Sequence, residues 1–224
     1  MDDPFLFRHQ NVAELWLIRH GDAIPGPDEI IPSGIYDDLP LSNIGREQAR
    51  ALAERLSDMR FDAIYSSPLK RCQQTAVPLA ERLDLTPVIV PDIREIHIGE
   101  IRPLPADRND LQALSKALQE RQIDIVRIAG AEGNWDAIKN SEPAGEFRGR
   151  VVTAIDDIAS KHSGQRVLIF AHGGVINAYA AAVLGLEKDF FFPCANTSIT
   201  VVRVAGPRRV LYVMNDVAHV KRHA

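Results

Sequence analysis

The chain has 224 residues, of which 46% are hydrophobic and 25% are charged, as in an ordinary globular protein. Its 26 basic and 30 acidic residues give a formal net charge of −4, without a long basic run, which argues against nucleic acid and anionic membrane surfaces as partners. The length favours one domain spanning residues 1–224.

Cysteine usage and the N-terminus indicate the compartment. Cys72 and Cys194 lie far apart and form no metal-binding pattern, and Cys72 falls on the apolar face of a predicted helix, where a buried free thiol is expected. Residues 1–4 lack the basic flank and apolar core of a signal peptide, and no apolar run reaches membrane-spanning length. We therefore predict a cytoplasmic protein without a metal or another cofactor.

The first half of the chain alternates between strands and helices. Apolar stretches predict strands at residues 12–18, 62–65 and 86–90. Ser42 is a plausible cap for one helix, and Ser67 with Pro68 is typical of the start of a second. Between the first strand and the first helix lies a loop, 24–40, that contains four prolines.

The second half continues this alternation after a poorly patterned stretch. Residues 100–142 form an insertion, with a helix predicted near 107–122 and a Gly/Asn-rich loop at 130–135. The later elements are a helix over 147–158, a continuous apolar strand at 166–171, a helix at 175–184, and two strands at 197–204 and 208–214. This order predicts an α/β three-layer sandwich with a mainly parallel central sheet and helices on both faces.

Charged and imidazole side chains follow three of the predicted strands directly. They are found in Arg19-His20-Gly21, in residues 66–71 and in His172-Gly173-Gly174. Ligands of open α/β sheets bind in the crevice beyond the carboxyl ends of the strands. The three segments are therefore expected to face one site.

The side chains of these segments suit phosphoryl transfer. Arg19 and Arg71 offer paired donors that match phosphate oxygens and stay charged at physiological pH. A neutral imidazole such as that of His20 can attack phosphorus if one ring nitrogen is free. Surrounding cations can stabilise the charge on the equatorial oxygens, so this chemistry does not require a metal.

Five segments, in order, resemble those of the histidine phosphatase superfamily, also called phosphoglycerate mutase-like. The first is LIRHGDA at residues 17–23. The others are residues 41–49, SSPLKRCQQTA at 66–76, AHGG at 171–174, and Asn196 followed by Ser198-Ile199. Together they cover the chain from about residue 15 to 214, which makes the set far more specific than Arg-His-Gly alone.

The resemblance implies a role for each matching residue. His20 would be the nucleophile that becomes a phosphohistidine, and Arg19, Arg71 and His172 would complete the cationic pocket. The further phosphate-binding positions are Gly173 and Asn196.

The general acid is implied less directly. Glu95 falls where the family places this residue, but many members have a tryptophan before the following Glu-Gly, whereas this chain has Ile98-Gly99-Glu100. Glu95 is our candidate, and Glu100 is the alternative.

The resemblance favours a metal-independent phosphomonoester hydrolase. Mutases of the glycolytic type usually carry a Ser and a Trp-Asn pair after the first motif, where this chain has residues 23–26, AIPG. The alternatives are a cofactor-dependent phosphoglycerate mutase-type transfer, a non-catalytic phospholigand-binding protein on the same fold, and a metal-dependent hydrolase. The family pattern places the 100–142 insertion over the pocket as a lid, which indicates a small phosphorylated substrate. A homodimer is expected on frequency alone.

Overall fold

The structure is a computed structural model that describes residues 3–7, 10–26, 29, 38–99, 101–105 and 110–220. These residues form six strands and five α-helices, with a short 3₁₀ turn at Pro91–Ile93. The strands are β1 (Ala13–Arg19), β2 (Ala63–Ser66), β3 (Val88–Ile89), β4 (Arg166–Ala171), β5 (Ile199–Ala205) and β6 (Arg208–Asp216). The helices are α1 (Asn43–Leu56), α2 (Lys70–Leu83), α3 (Leu111–Glu132), α4 (Ala144–Lys161) and α5 (Gly173–Leu184).

The strands form one sheet in the order β3-β2-β4-β1-β5-β6. The pairs β3–β2, β2–β4 and β4–β1 are parallel, whereas β5 runs antiparallel to both of its neighbours. The predicted mainly parallel sheet is therefore confirmed. Its central strands, β4 and β1, are the apolar runs that precede two of the candidate motifs.

Alternating side chains of the central strands build a separate core on each face of the sheet. On one face, Leu17 and Ile169 pack with α4 and α5, and on the other Ile18 and Phe170 pack with α1 and α2. Successive side chains of a strand point to opposite faces of the sheet. When the side chains on both faces are apolar, each face needs a covering layer of helices. The three-layer arrangement follows from this pattern and confirms the predicted fold.

Two of the predicted helix starts can be compared with the structure. Ser42 caps α1, since its Oγ accepts a hydrogen bond from the Gly45 N–H at 3.0 Å. The second prediction is wrong by two residues, because α2 begins at Lys70 with Leu69, in an extended conformation, as its N-cap. The Ser67 hydroxyl accepts from the Leu69 N–H at 3.3 Å and so closes the turn that leads into the helix.

The insertion contains more helix than its sequence pattern indicates. α3 extends to Glu132 rather than ending near residue 122, and the predicted loop begins only at Gly133. Asp110 caps its start by accepting from the Ala113 N–H at 2.9 Å, and Gly133 ends it with a left-handed φ of 76°. Gly130 lies within the helix where we predicted a loop, since a single glycine weakens a helix without ending it.

The remaining differences are small. β3 spans two residues where five were predicted, and both are exposed at the edge of the sheet. Cys72 and Cys194 are buried free thiols, as expected for Cys72. Within the described ranges, no helix combines the length and the apolar character needed to cross a lipid bilayer.

Candidate active site

The ends of three adjacent strands bring the predicted site residues together. His20 follows β1, Ser67 follows β2 and His172 follows β4, and these strands are neighbours in the order β2-β4-β1. The backbone N–H of His20 donates to the Ala171 carbonyl at 3.0 Å, so both histidines are held at the same edge of the sheet. Their ring centroids lie 5.2 Å apart.

The hydrogen bonds of His20 define which of its ring nitrogens carries the proton and which keeps its lone pair. Nδ1 lies 2.7 Å from the carbonyl oxygen of Gly21, which can only accept, so Nδ1 carries the proton. Nε2 then keeps its lone pair and accepts from Nε of Arg71 at 3.2 Å. Burial, followed by the charges of Arg71 and Arg19, holds the pKa of His20 well below its ordinary value, so its ring is neutral near pH 7.

The turn after His20 depends on a close backbone approach at Gly21. A Cβ at this position would lie 2.7 Å from the carbonyl oxygen of Gly45 in α1. The Gly21 N–H donates to Thr75 Oγ1 at 3.0 Å, and this hydroxyl in turn donates to the Arg71 carbonyl at 2.6 Å. Thr75 thereby ties the first turn of α2, which carries Arg71, to the end of β1.

Arg19 adds a second guanidinium to the site. Its Nη1 donates to the carbonyl oxygen of Cys194. Its Nε is buried and has no hydrogen-bond partner in the part of the chain that the structure describes. A Cβ on Gly173 would lie 3.6 Å from this Nε, which places the unpaired donor beside the N-terminus of α5. Buried donors are rarely left unsatisfied, so Arg19 Nε suits an anionic ligand.

His172 is completely buried at the N-cap of α5. Its Nε2 lies 2.7 Å from the Ser67 hydroxyl, which also caps the turn before α2. Burial, followed by the positive charge of Arg71, lowers the pKa of His172 well below the usual histidine range. Two neutral imidazoles and two guanidiniums thus lie at one helix N-terminus, where the backbone dipoles favour an anion.

The structure brings Glu95 to the same edge of the sheet. Its Oε2 accepts from the Gly174 N–H at 3.2 Å, and its Oε1 accepts from the Ile96 N–H at 3.1 Å. Burial raises the pKa of the carboxyl, against the opposing effects of the Gly174 N–H and of Arg71. Glu100, the alternative, lies outside the described residues.

The absence of a side chain at Gly174 leaves the space that this carboxyl occupies. A Cβ at Gly174 would lie 2.4 Å from Glu95 Oε1, a distance that would force the carboxyl to move. The same Cβ would lie 3.2 Å from Cζ2 of Trp135, a residue that we had placed in a loop and had not assigned to the site. Trp135 is only 3% exposed, and its Nε1 has no hydrogen-bond partner among the described residues. A tryptophan within a polar, Gly/Asn-rich stretch was the available sequence signal.

Asn196 contacts the backbone of the nucleophile candidate. Its Nδ2 donates to the His20 carbonyl at 3.1 Å, and the Thr197 N–H donates to the same oxygen at 3.3 Å. These contacts hold the end of β1 from the β5 side. Direct binding of phosphate by Asn196 stays a prediction.

The arrangement combines a neutral nucleophile, fixed positive charge and a carboxyl with a raised pKa. Such a set can accept a phosphoryl group on a ring nitrogen and can pass a proton to and from the displaced oxygen. Over the ranges that the structure describes, no three His, Cys, Asp or Glu side chains cluster in a way that could hold a metal ion.

Comparison with known proteins places this site in a family. The model of the histidine phosphatase superfamily (branch 1) matches residues 15–217. The chain is 32% identical over 213 residues to a metal-independent phosphoserine phosphatase of Arabidopsis thaliana, covering 93% of this chain and 83% of that protein. Phosphoglycerate mutase-like protein 4 of the same plant is 32% identical over 216 residues, with 93% and 87% covered.

A solved structure agrees with these matches. The mycobacterial glucosyl-3-phosphoglycerate phosphatase superposes with a TM-score of 0.71 and 26% identity, covering 92% of this chain and 100% of that one. The predicted family and the predicted class of enzyme, a phosphatase acting on phosphomonoesters, are confirmed, and mutase-type relatives also occur. The chain belongs to branch 1 of the histidine phosphatase superfamily.

Proposed function

We propose that the chain hydrolyses a small phosphomonoester through a phosphohistidine formed at Nε2 of His20. The observation that carries this proposal is the state of that nitrogen: the Gly21 carbonyl holds the proton on Nδ1, and Nε2 presents its lone pair next to two guanidiniums. A neutral, fixed imidazole among cations is what nucleophilic attack on a phosphate dianion requires.

In the first step, His20 Nε2 attacks phosphorus and a P–N bond forms while the P–O bond to the substrate alcohol breaks. Arg19, Arg71 and His172 stabilise the equatorial oxygens, and the unpaired Nε of Arg19 supplies one donor. The electron pair of the broken bond stays on the leaving oxygen, which takes the proton of the Glu95 carboxyl. The raised pKa of Glu95 supports its role as this acid.

In the second step, water attacks the phosphohistidine. Glu95, now a carboxylate, takes a proton from the water as the new P–O bond forms. The P–N bond breaks, its electron pair returns to His20 Nε2, and inorganic phosphate leaves. The same carboxyl thus serves as acid and then as base, as reversal of one proton transfer requires.

The names of the relatives support a small phosphorylated substrate. One is a phosphoserine phosphatase and another is a glucosyl-3-phosphoglycerate phosphatase. O-phosphoserine and 3-phosphoglycerate are therefore the first compounds to test, each with EDTA present throughout.

The test measures phosphate release and isomer formation in the same reactions. We expect release of inorganic phosphate from O-phosphoserine or another phosphomonoester in the presence of EDTA. Conversion of 3-phosphoglycerate to its 2-isomer without phosphate release would identify a mutase. Loss of all turnover in EDTA, with recovery on adding a divalent cation, would contradict the metal-independent mechanism.

Gly174→Ala tests the placement of the Glu95 carboxyl. The added methyl would overlap Glu95 Oε1, so the carboxyl must move by a substantial fraction of an ångström. We expect kcat/KM for O-phosphoserine to fall by about 10²-fold, the effect of a 1 Å misplacement. In the control, Gly145→Ala, the Cβ meets nothing within 4 Å, and activity should stay at the wild-type level. Wild-type activity in Gly174→Ala would contradict the role of Glu95.

A further inference from the structure

The segment that carries Glu95 has little regular structure of its own. It comprises residues 94–99, all within the described part of the chain, which follow the 3₁₀ turn Pro91–Ile93 and form no strand of the sheet. The two hydrogen bonds to the Glu95 carboxyl come from Gly174 and from the next residue, Ile96. The buried side chains of Ile93 and Ile96 pack in the core on either side of Glu95, and contacts from other parts of the chain complete the placement of the backbone between them.

Arg150 of α4 supplies such contacts. Its Nη1 donates to the carbonyl oxygens of Asp92 at 2.7 Å and of Arg94 at 2.9 Å. Its Nη2 lies 3.5 Å from the carbonyl oxygen of Glu95 itself. One guanidinium therefore binds three carbonyls within four consecutive residues, and the last belongs to the candidate acid.

Glu142 fixes the orientation of this guanidinium. Its Oε1 accepts from Arg150 Nε at 2.6 Å and its Oε2 accepts from Nη2 at 2.8 Å, a bidentate pair. The same carboxylate accepts from the His97 N–H at 3.3 Å, and the Glu142 N–H donates to the His97 carbonyl at 2.9 Å. Arg150 and Glu142 thus hold both ends of the short segment on either side of Glu95.

The pair is largely shielded from water and retains its charges. The side chains of Arg150 and Glu142 are 17% and 12% exposed, and the guanidinium lies 4.7 Å from the ring centroid of the buried Phe147. The hydrogen bonds from Arg150 are the largest of the effects that lower the pKa of Glu142. All five N–H donors of Arg150 are used, in a fork that lysine cannot reproduce.

We propose that Arg150, oriented by Glu142, is a positioning residue that sets the Glu95 carboxyl for proton transfer to the leaving oxygen. This inference rests on the proposed function, since it needs Glu95 to be the acid. Arg150 does not touch the reacting atoms. Its effect should therefore depend on how much the leaving group needs a proton.

The test compares three substrates whose leaving oxygens differ in basicity. O-phosphoserine releases a strongly basic alkoxide unless it is protonated, phenyl phosphate releases a less basic phenolate, and p-nitrophenyl phosphate releases a stable anion. Phenyl and p-nitrophenyl phosphate have nearly the same shape. A change in the ratio of their kcat/KM values therefore reflects the leaving group rather than a difference in binding. The quantity measured is kcat/KM, which covers the steps up to release of the alcohol or phenol.

For Arg150→Met, we expect kcat/KM for O-phosphoserine to fall by about 10²-fold and that for p-nitrophenyl phosphate by less than about threefold, with phenyl phosphate between them. Arg150→Lys should show the same order with smaller losses. Glu142→Gln weakens the pair without removing the guanidinium, and it provides the test if Arg150→Met does not fold. The substrate ratio is kcat/KM for O-phosphoserine divided by kcat/KM for p-nitrophenyl phosphate. If this ratio stays at the wild-type value in these variants, whether both kcat/KM values fall equally or neither falls, the proposal is overturned.

The matched control is Arg148→Met on the same helix. Arg148 also pairs with a carboxylate, Asp189 at 3.0 Å, and donates to the carbonyl of Leu186 at 2.7 Å, but none of its hydrogen bonds among the described residues reaches the Glu95 segment. Its substitution should leave the substrate ratio unchanged, whatever it does to stability. A changed ratio in this control would also contradict a specific role for Arg150.

Glu95→Gln separates failure of this inference from failure of the proposed function. If Glu95→Gln changes the substrate ratio and the Arg150 variants do not, Glu95 is the acid and Arg150 does not position it. If Glu95→Gln leaves the ratio unchanged, the assignment of the acid is wrong, and the inference falls with it.

Discussion

His20→Ala is expected to reduce phosphate release from any substrate by about 10⁴-fold or more, because it removes the nitrogen that forms the covalent intermediate in the proposed mechanism. The other imidazole of the site, His172, is fully buried, and its Nε2 lies 2.7 Å from the Ser67 hydroxyl. The measurement is steady-state phosphate release in EDTA. It is combined with intact-mass detection of the phosphoryl adduct after rapid mixing at neutral to alkaline pH, where phosphohistidine survives.

The control for this prediction is another partly buried histidine. The Nε2 of His162 shares a hydrogen bond with the Tyr65 hydroxyl at 2.8 Å, and none of the hydrogen bonds of this ring among the described residues involves a predicted site residue. His162→Ala should keep the adduct and most of the activity. Retention of more than about a tenth of wild-type activity in a folded His20→Ala variant would show that the nucleophile is a different group.

Glu95→Gln is expected to have the second-largest effect, a loss of about 10²- to 10³-fold in kcat/KM for O-phosphoserine. Glutamine can still accept the Gly174 N–H but carries no proton that it can transfer. With p-nitrophenyl phosphate the loss should be far smaller, because that leaving group departs as a stable anion. A similar loss with both substrates would indicate a defect in binding rather than in proton transfer.

The dependence of this effect on pH follows from the direction of the two pKa shifts. Burial raises the pKa of Glu95, so the acid form persists to a higher pH than for a free glutamic acid, and kcat/KM for O-phosphoserine should fall as pH rises through that raised pKa. The lowered pKa of His20 keeps the nucleophile neutral, so the acid limb should lie below the ordinary range of histidine. Glu95→Gln should remove the basic limb and leave the acid limb in place.

The pH profile can contradict the assignment of the acid. A basic limb that survives in Glu95→Gln would belong to another titrating group, and Glu100 would then be the next residue to replace. The same profile measured with p-nitrophenyl phosphate serves as the comparison, because its leaving oxygen departs as a stable anion and has little need of a proton.

Local patterns in the sequence determined the strands and the residues that follow them. β1 and β4 are continuous apolar runs because both faces of the sheet are covered, and such runs are visible without any knowledge of their partners. The polar side chains at their carboxyl ends, Arg19, His20 and His172, therefore converge wherever these strands pair in parallel. Arg71 was indicated in the same way by the residues that follow β2, and the family pattern added Glu95; the structure places these two side chains against His20 and Gly174.

Only the tertiary structure decided how these groups are held. The Arg150 fork reaches carbonyls 55 or more residues earlier in the chain, and Gly174 faces a carboxyl 79 residues away. Trp135 is buried beside Gly174, although it belongs to a stretch whose composition predicts only a loop. Burial with a helical or strand period repeats in neighbouring residues, so it can be recognised in the sequence. A hydrogen bond between two distant, irregular segments depends on the fold of the whole chain and produces no repeating pattern in the sequence.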